Sequence, residues 1–209
     1  MKDKHALIID TGCANINSLK FALNRVGFKA LVSDDPAQIC SANKVFLPGV
    51  GAAAYAMDNI ANKQLIDTIQ GLQQPVLGIC LGMQLLSQTS HENNINTPCL
   101  GLIDAQVVPL QVVPLKPQTT KPVRLPHMGW NTLYDITDSP LFHDITKQDY
   151  FYFVHSYGIP VGHATIASCH YGQAFSASVQ QDNFFGVQFH PERSGNSGAK
   201  LLTNFMENC

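Results

Sequence analysis

The chain has 209 residues, 45% of them hydrophobic and 13% charged, which supplies a buried core and excludes a disordered tail or a disulfide mini-protein. With 13 basic and 15 acidic residues the formal net charge is −2, so there is no broad positive field for a phosphate backbone and nucleic acid is not an expected partner. The cysteines at 13, 40, 80, 99, 169 and 209 are scattered, none closer than Cys80 and Cys99, so no CxxC pair points to zinc and the thiols are expected to be free in a reducing cytoplasm.

Met1 to His5 alternates charges and reads as neither a signal peptide nor a transit helix, and no apolar stretch approaches the length of a membrane span. Ala6 to Ile9 predicts a strand, followed by a loop at Asp10-Thr11-Gly12 and a helix carrying Ile16, Leu19, Leu23 and Val26 up to Gly27. Residues 29–33 predict a second strand, and Asp35-Pro36 opens a short helix with a cap and a first-turn proline. Val45-Phe46-Leu47 predicts a third strand, ended by Pro48-Gly49-Val50-Gly51. A helix over 52–72, a fourth strand over 76–79 and a helix over 81–88 complete the first half. Strands and helices alternating at this spacing imply a parallel sheet covered on both faces.

Beyond about residue 100 the texture changes. Residues 151–155, 165–168, 175–179 and 184–189 are short β-rich runs without room for crossover helices, so an antiparallel set added to the sheet is expected. Val107-Val108-Pro109-Leu110-Gln111 is echoed at once by Val112-Val113-Pro114-Leu115-Lys116, and prolines continue through Pro126. Prolines this dense predict an extended loop or an exposed edge, and local duplication explains the echo. Residues 196–208 close the chain as a helix. The expected whole is one α/β domain over 1–209: an open, mostly parallel twisted sheet with helices on both faces and an antiparallel β extension.

The sharpest chemical pattern is Gly78-Ile79-Cys80-Leu81-Gly82, between a buried strand and a helix. A nucleophile on such a junction sits on a tight turn, the small residues on either side letting strand and helix approach, and the helix N-terminus favours a thiolate. A buried structural cysteine is the alternative. His190-Pro191-Glu192 offers a base with an orienting carboxylate; taken alone, His190 reads equally well as a satisfied structural histidine. Pro48-Gly49-Val50-Gly51 could turn main-chain N–H groups towards an oxyanion, or could be an ordinary strand-to-helix turn. The site reading gains because active sites of open parallel sheets lie at strand C-termini.

In this order, Pro-Gly-Val-Gly, Gly-Ile-Cys-Leu-Gly-Met-Gln and Phe-His-Pro-Glu resemble the class I, triad-type glutamine amidotransferases. Within them, Leu125-Pro-His-Met-Gly-Trp-Asn131, Tyr152-Phe-Val-His-Ser-Tyr157 and His190-Pro-Glu-Arg-Ser194 resemble the glutaminase-subunit family of imidazole glycerol phosphate synthases, over essentially the whole chain. The proline-rich stretch from Pro109 to Arg124 is longer than usual there, and Cys13 and Ala14 stand where the family often has proline or glycine.

The resemblance implies Cys80 as nucleophile, His190 as base and acid, and Glu192 as the group orienting His190. It implies Gly49, Val50 and Gly51 as an oxyanion strand together with Leu81, and Gln84, His155, Ser156 and Tyr157 around a bound glutamine. Asn15, Trp130, Tyr152 and Arg193 match positions facing a (β/α)8-barrel cyclase subunit in a heterodimer. It implies neither metal nor cofactor. The implied activity is glutamine hydrolysis through a cysteine thioester, with ammonia passed to the barrel for histidine biosynthesis. Another triad amidotransferase, a free-standing cysteine hydrolase and a catalytically silent binding subunit are the competing readings.

Overall fold

The computed structural model describes residues 5–12, 14–111 and 124–209; Cys13 and most of the proline-rich stretch lie outside them. Strand β1 (His5–Ile9) leads into α1 (Ile16–Arg25), whose N-cap Asn15 accepts from the Ser18 N–H at 3.4 Å and which buries Leu19, Ala22 and Leu23. Then come β2 (Lys29–Ser33), α2 (Pro36–Ser41) and β3 (Lys44–Gly49). Asp35 caps α2 as expected, accepting from the Ala37 N–H at 2.9 Å ahead of Pro36.

The expected helix over 52–72 is two helices, α3 (Ala53–Asn62) and α4 (Ile66–Gln70). The chain breaks at Gln64, which has φ 56°. There the Lys63 ammonium donates to the Asp10 carbonyl at 2.8 Å and pairs with Asp34 at 2.9 Å, while the turn sends Leu65 into the core. Tertiary contacts override helix propensity at this point.

After β4 (Val76–Cys80), helix α5 spans only Leu81–Leu85, where the sequence predicts a helix to residue 88. The Ser87 hydroxyl donates to the Gln84 carbonyl at 2.6 Å, ending the helix, and Ser87–Ser90 becomes strand β5. Strands β6 (Thr97–Pro98) and β7 (Ile103–Pro109) follow. The proline-rich expectation fails for Val107, Val108 and Pro109. They lie in β7, which pairs with β5 on one side and with β10 (Tyr157–Gly158) on the other. Pro109 is tolerated because it ends the strand, and Leu110 supplies the next N–H, to the Ser156 carbonyl at 2.9 Å.

Strands β8 (His127–Thr132) and β9 (Tyr150–His155) form a separate antiparallel ribbon. Next come β11 (Thr165–Tyr171), β12 (Gln173–Gln181), β13 (Phe184–Val187), a single turn at Pro191–Arg193, and α6 (Gly195–Asn208). Among the described residues the main sheet has seven strands in the order β11-β12-β13-β4-β3-β1-β2. From β13 to β2 all pairs are parallel, and β12 and β11 form the antiparallel extension. Two expectations are corrected here: the run at 184–189 joins the parallel part, and that at 151–155 leaves the main sheet for β8.

Helices α1 and α6 pack on one face of the sheet, where Phe205 meets Phe46 edge-on at 5.0 Å, and α3, α4 and α5 pack on the other. Among the described residues no helix is long and apolar enough to cross a membrane. The C-terminal ends of β3, β4 and β13 lie side by side, Gly49 in register with Cys80 and Val187 with Ile79, and this edge carries the polar residues described next.

Candidate active site

Cys80 ends β4 with φ 55° and ψ −109°, a conformation that L residues avoid and that persists only where the surroundings impose it. The surroundings are the two flanking glycines. A Cβ on Gly78 would lie 2.7 Å from the Gly82 carbonyl oxygen, and one on Gly82 would overlap the Leu47 carbonyl of the neighbouring strand. The small residues thus let strand and helix approach as the spacing predicted. With only five residues, however, α5 contributes little macrodipole, so the polarity around the sulfur must come chiefly from side chains.

A cavity of about 350 Å³ opens above Cys80. It is bordered by Val50 and Gly51 beyond β3, by Leu81 and Gln84 on α5, by His155, Ser156 and Tyr157, and by His190 and Glu192 from the turn after β13. Asn15 and Arg193 stand at its rim. Gly49 borders an adjoining narrow recess, with Pro48, Val50, His190 and Glu192. Every residue expected around a nucleophile is therefore brought together, with Gly49 one step behind the wall.

Within the cavity His190 Nδ1 meets Glu192 Oε1 at 2.8 Å, and both side chains are buried. Burial opposes a charge on His190, but hydrogen bonds to Cys80 and Glu192, and their charges, outweigh it and push its pKa up to about 10. The carboxylate fixes the imidazole with Nδ1–H towards Glu192 and leaves Nε2 for the sulfur. Gln84 donates through Nε2 to the Tyr157 carbonyl at 3.1 Å and to Gln188 Oε1 at 2.9 Å, so its own oxygen is left as an acceptor.

Three groups here escaped the sequence reading. Gln188, fully buried, reaches Cys80 Sγ through Nε2 at 3.8 Å. Its signal was visible as a lone amide inside the apolar run from Phe184 to Phe189. Glu92 comes from the turn after β5 to line the cavity and accepts the Ala53 N–H at 2.7 Å; its surroundings in sequence are merely polar. His127 on β8 meets His155 at 3.0 Å and is sandwiched between Tyr171 and Phe153, with ring centroids 4.0 and 4.7 Å away. Burial depresses both histidines, His127 to about 3 and His155 to about 4, so the pair is neutral at ordinary pH.

Of the residues expected to face another subunit, Trp130 and Tyr152 pair across the ribbon, with ring centroids 6.0 Å apart, and the Arg193 guanidinium lies 4.4 Å over the Tyr152 ring. Trp130 is 55% exposed and stands outside the cavity wall, whereas Asn15 caps α1 at its rim. Cys40, Cys99, Cys169 and Cys209 are free thiols away from this cavity.

A sequence model described as glutamine amidotransferase class-I matches residues 7–209. The subunit HisH of imidazole glycerol phosphate synthase from Vibrio parahaemolyticus serotype O3:K6 is 50% identical over 211 residues, covering 99% of this chain and all of that protein. Its counterpart from Escherichia coli strain K12 is 52% identical over 203 residues, covering 97% of this chain and 99% of the relative. Among solved structures, a glutamine amidotransferase superposes with a TM-score of 0.70 at 17% identity, over 96% of this chain and 97% of the other. PurLQS from Thermotoga maritima superposes at 0.66 and 18% identity, over 97% and 96%. At such identities the last two speak for the fold alone.

Proposed function

Because the chain belongs to the class-I glutamine amidotransferase family, we propose that it is the glutaminase subunit of an imidazole glycerol phosphate synthase, acting as a single domain with Cys80, His190 and Glu192 as its triad. The observation that carries this reading is the convergence of a strained cysteine, a carboxylate-held histidine and an amide-lined cavity at one sheet edge.

Glutamine fits the chemistry of the walls. The Glu92 carboxylate offers a counter-charge for an α-ammonium, and Gln84 Oε1 an acceptor. The Cys80 thiol gives its proton to His190, and the sulfur attacks the side-chain carboxamide carbon, forming a C–S bond and a tetrahedral oxyanion. Main-chain N–H groups of the Gly49-Val50-Gly51 segment and of Leu81 stabilise that charge. His190 hands its proton to the leaving nitrogen, the C–N bond breaks, and ammonia departs. His190 then takes a proton from water, which attacks the γ-glutamyl thioester and releases glutamate and the thiol.

The ammonia passes to a (β/α)8-barrel cyclase partner, which uses it in forming imidazole glycerol phosphate and an aminoimidazole carboxamide ribotide. The exposed face around Trp130, Tyr152 and Arg193 receives that partner in a heterodimer. The glycines on either side of Val50 allow its peptide to reorient when the loaded partner docks, so that hydrolysis awaits a use for the ammonia.

The test is Cys80→Ala in the assembled complex. Glutamine-dependent synthesis falls to background while synthesis from added ammonia continues. Loss of both activities would show that Cys80 serves the structure instead. Glutamine turnover by the isolated subunit equal to that of the nucleotide-loaded complex would remove the gating step.

A further inference from the structure

The hydrogen-bond directions around Cys80 follow from two main-chain carbonyls. The Tyr157 carbonyl can only accept, so Gln84 Nε2 at 3.1 Å and His155 Nδ1 at 2.7 Å must both donate to it. Gln84 therefore also presents its nitrogen to Gln188, whose oxygen accepts at 2.9 Å, and the far end of the Gln188 amide, Nε2, is turned to Cys80 Sγ at 3.8 Å. In the other direction His155 Nε2 is a bare acceptor, filled by Nδ1–H of His127 at 3.0 Å. His127 Nε2 in turn accepts from Asn131 Nδ2 at 3.4 Å, and that nitrogen is pinned separately to the His170 carbonyl at 3.0 Å. Read from either carbonyl, the network runs the same way.

Gln188 is 0% exposed, and a buried amide is stable only where both its ends are bonded. Its oxygen has a good partner in Gln84. Its N–H has the sulfur, which is a weak acceptor as a thiol and a far stronger one as a thiolate. The neighbouring Val154 carbonyl, 4.0 Å from Sγ, can take only the S–H of the thiol form.

We propose that Gln188 is a further catalytic residue of this site, donating its side-chain N–H to the Cys80 sulfur and stabilising the thiolate, with Gln84 holding the amide in the donating orientation. This rests on Cys80 being the nucleophile. The other titratable or charged groups facing the same cavity are His190 and Glu192 from the turn after β13, Arg193 at the rim, His155 at the end of β9, Tyr157 on β10, and Glu92 after β5. All of them persist in a Gln188→Met chain, so a change in the titration of Cys80 there reports the lost donor.

The experiment is the pH dependence of Cys80 alkylation by iodoacetamide on the full chain, resolved by peptide mass spectrometry, beside glutamine turnover in the complex. In Gln188→Met the alkylation midpoint rises by about one pH unit, a thiolate fraction about tenfold lower on the acid side, and glutamine turnover falls about tenfold. A midpoint that stays put while turnover falls would overturn the proposal, because the thiolate would then be no less stable without the Gln188 donor. Gln84→Met leaves Gln188 in place but unheld, and gives a smaller rise of about half a unit. Should Gln188→Met fail to fold, an unmoved midpoint in Gln84→Met overturns the proposal equally. If Cys80 of the unaltered chain reacts no faster than exposed Cys40, the nucleophile reading itself fails.

Discussion

The turn from β4 into α5 and the β8–β9 ribbon meet at one cavity, yet they treat their side chains in opposite ways. At the turn the side chains are held by partners within the chain. Gly78 and Gly82 have no room for a Cβ, and Gln84 and Gln188 spend their amide groups on each other, on the Tyr157 carbonyl and on the sulfur. The ribbon is packed as tightly on its inner face, where His127 is stacked between aromatic rings, but its outer face leaves Met128 62% and Trp130 55% exposed beside Tyr150 and Tyr152. The contrast teaches where this chain is self-sufficient. It holds its own chemistry together by internal contacts, and it keeps apolar surface on the ribbon whose burial, worth about 25 cal/mol per Å², would be realised only against another body.

Changes on the two sides should therefore differ in kind. The largest effect is expected for Gly82→Ala, since the added methyl meets the Leu47 carbonyl and β3 and α5 must separate. Stability should fall by about 3 kcal/mol, measured by urea unfolding, with glutaminase activity lost alongside. Trp130→Ala is the converse: unfolding free energy changes by less than about 0.5 kcal/mol, whereas affinity for the proposed cyclase partner drops by about 2 kcal/mol in calorimetry. If Trp130→Ala destabilised the isolated chain as much as Gly82→Ala, the contrast between the two regions would collapse.

The buried histidines sharpen the same contrast through pH. His190 has a folded pKa of about 10 against an ordinary 6.5, so its contribution to stability is present in full below pH 6.5 and is lost as pH rises towards 10. His127 and His155, depressed to about 3 and about 4, act with the opposite sign. Their contribution is present above pH 6.5 and fades as pH falls towards those values, because the unfolded chain takes up protons that the folded pair refuses. Stability measured by denaturant across pH should thus decline on both sides of 6.5. Glu192→Gln flattens the alkaline limb alone, and His127→Phe weakens the acid limb alone, this last being the smallest effect.

Much of the architecture was legible from patterns that depend on near neighbours. The capping Asp35-Pro36, the strand core at Val45-Phe46-Leu47 and the glycines around Cys80 each declare a local geometry by sterics and hydrogen bonding within a few residues. The misreadings occurred where a distant partner decided the outcome. Residues 52–72 have helix-forming composition throughout, but Lys63 is drawn to Asp10 and Asp34 on other loops and the helix breaks. The prolines around Pro109 argue against an internal strand, but Tyr157 pairs with Pro109 on one side of β7 and Ser90 with Val107 on the other.

The candidate site divides in the same manner. From the sequence alone came the strained cysteine turn and the His190-Pro191-Glu192 pair, because two residues suffice to bring a carboxylate to 2.8 Å from an imidazole. Only the tertiary structure could bring Gln188, Glu92 and the His127–His155 pair to that turn, since they arrive from β13, the loop after β5 and the ribbon. What a side chain does alone is written in its neighbours along the chain. Which hydrogen atom it turns towards the Cys80 sulfur was decided by the Tyr157 carbonyl, 77 residues away from that cysteine in sequence, because a buried amide has no water to turn to and must satisfy whichever acceptor the fold provides.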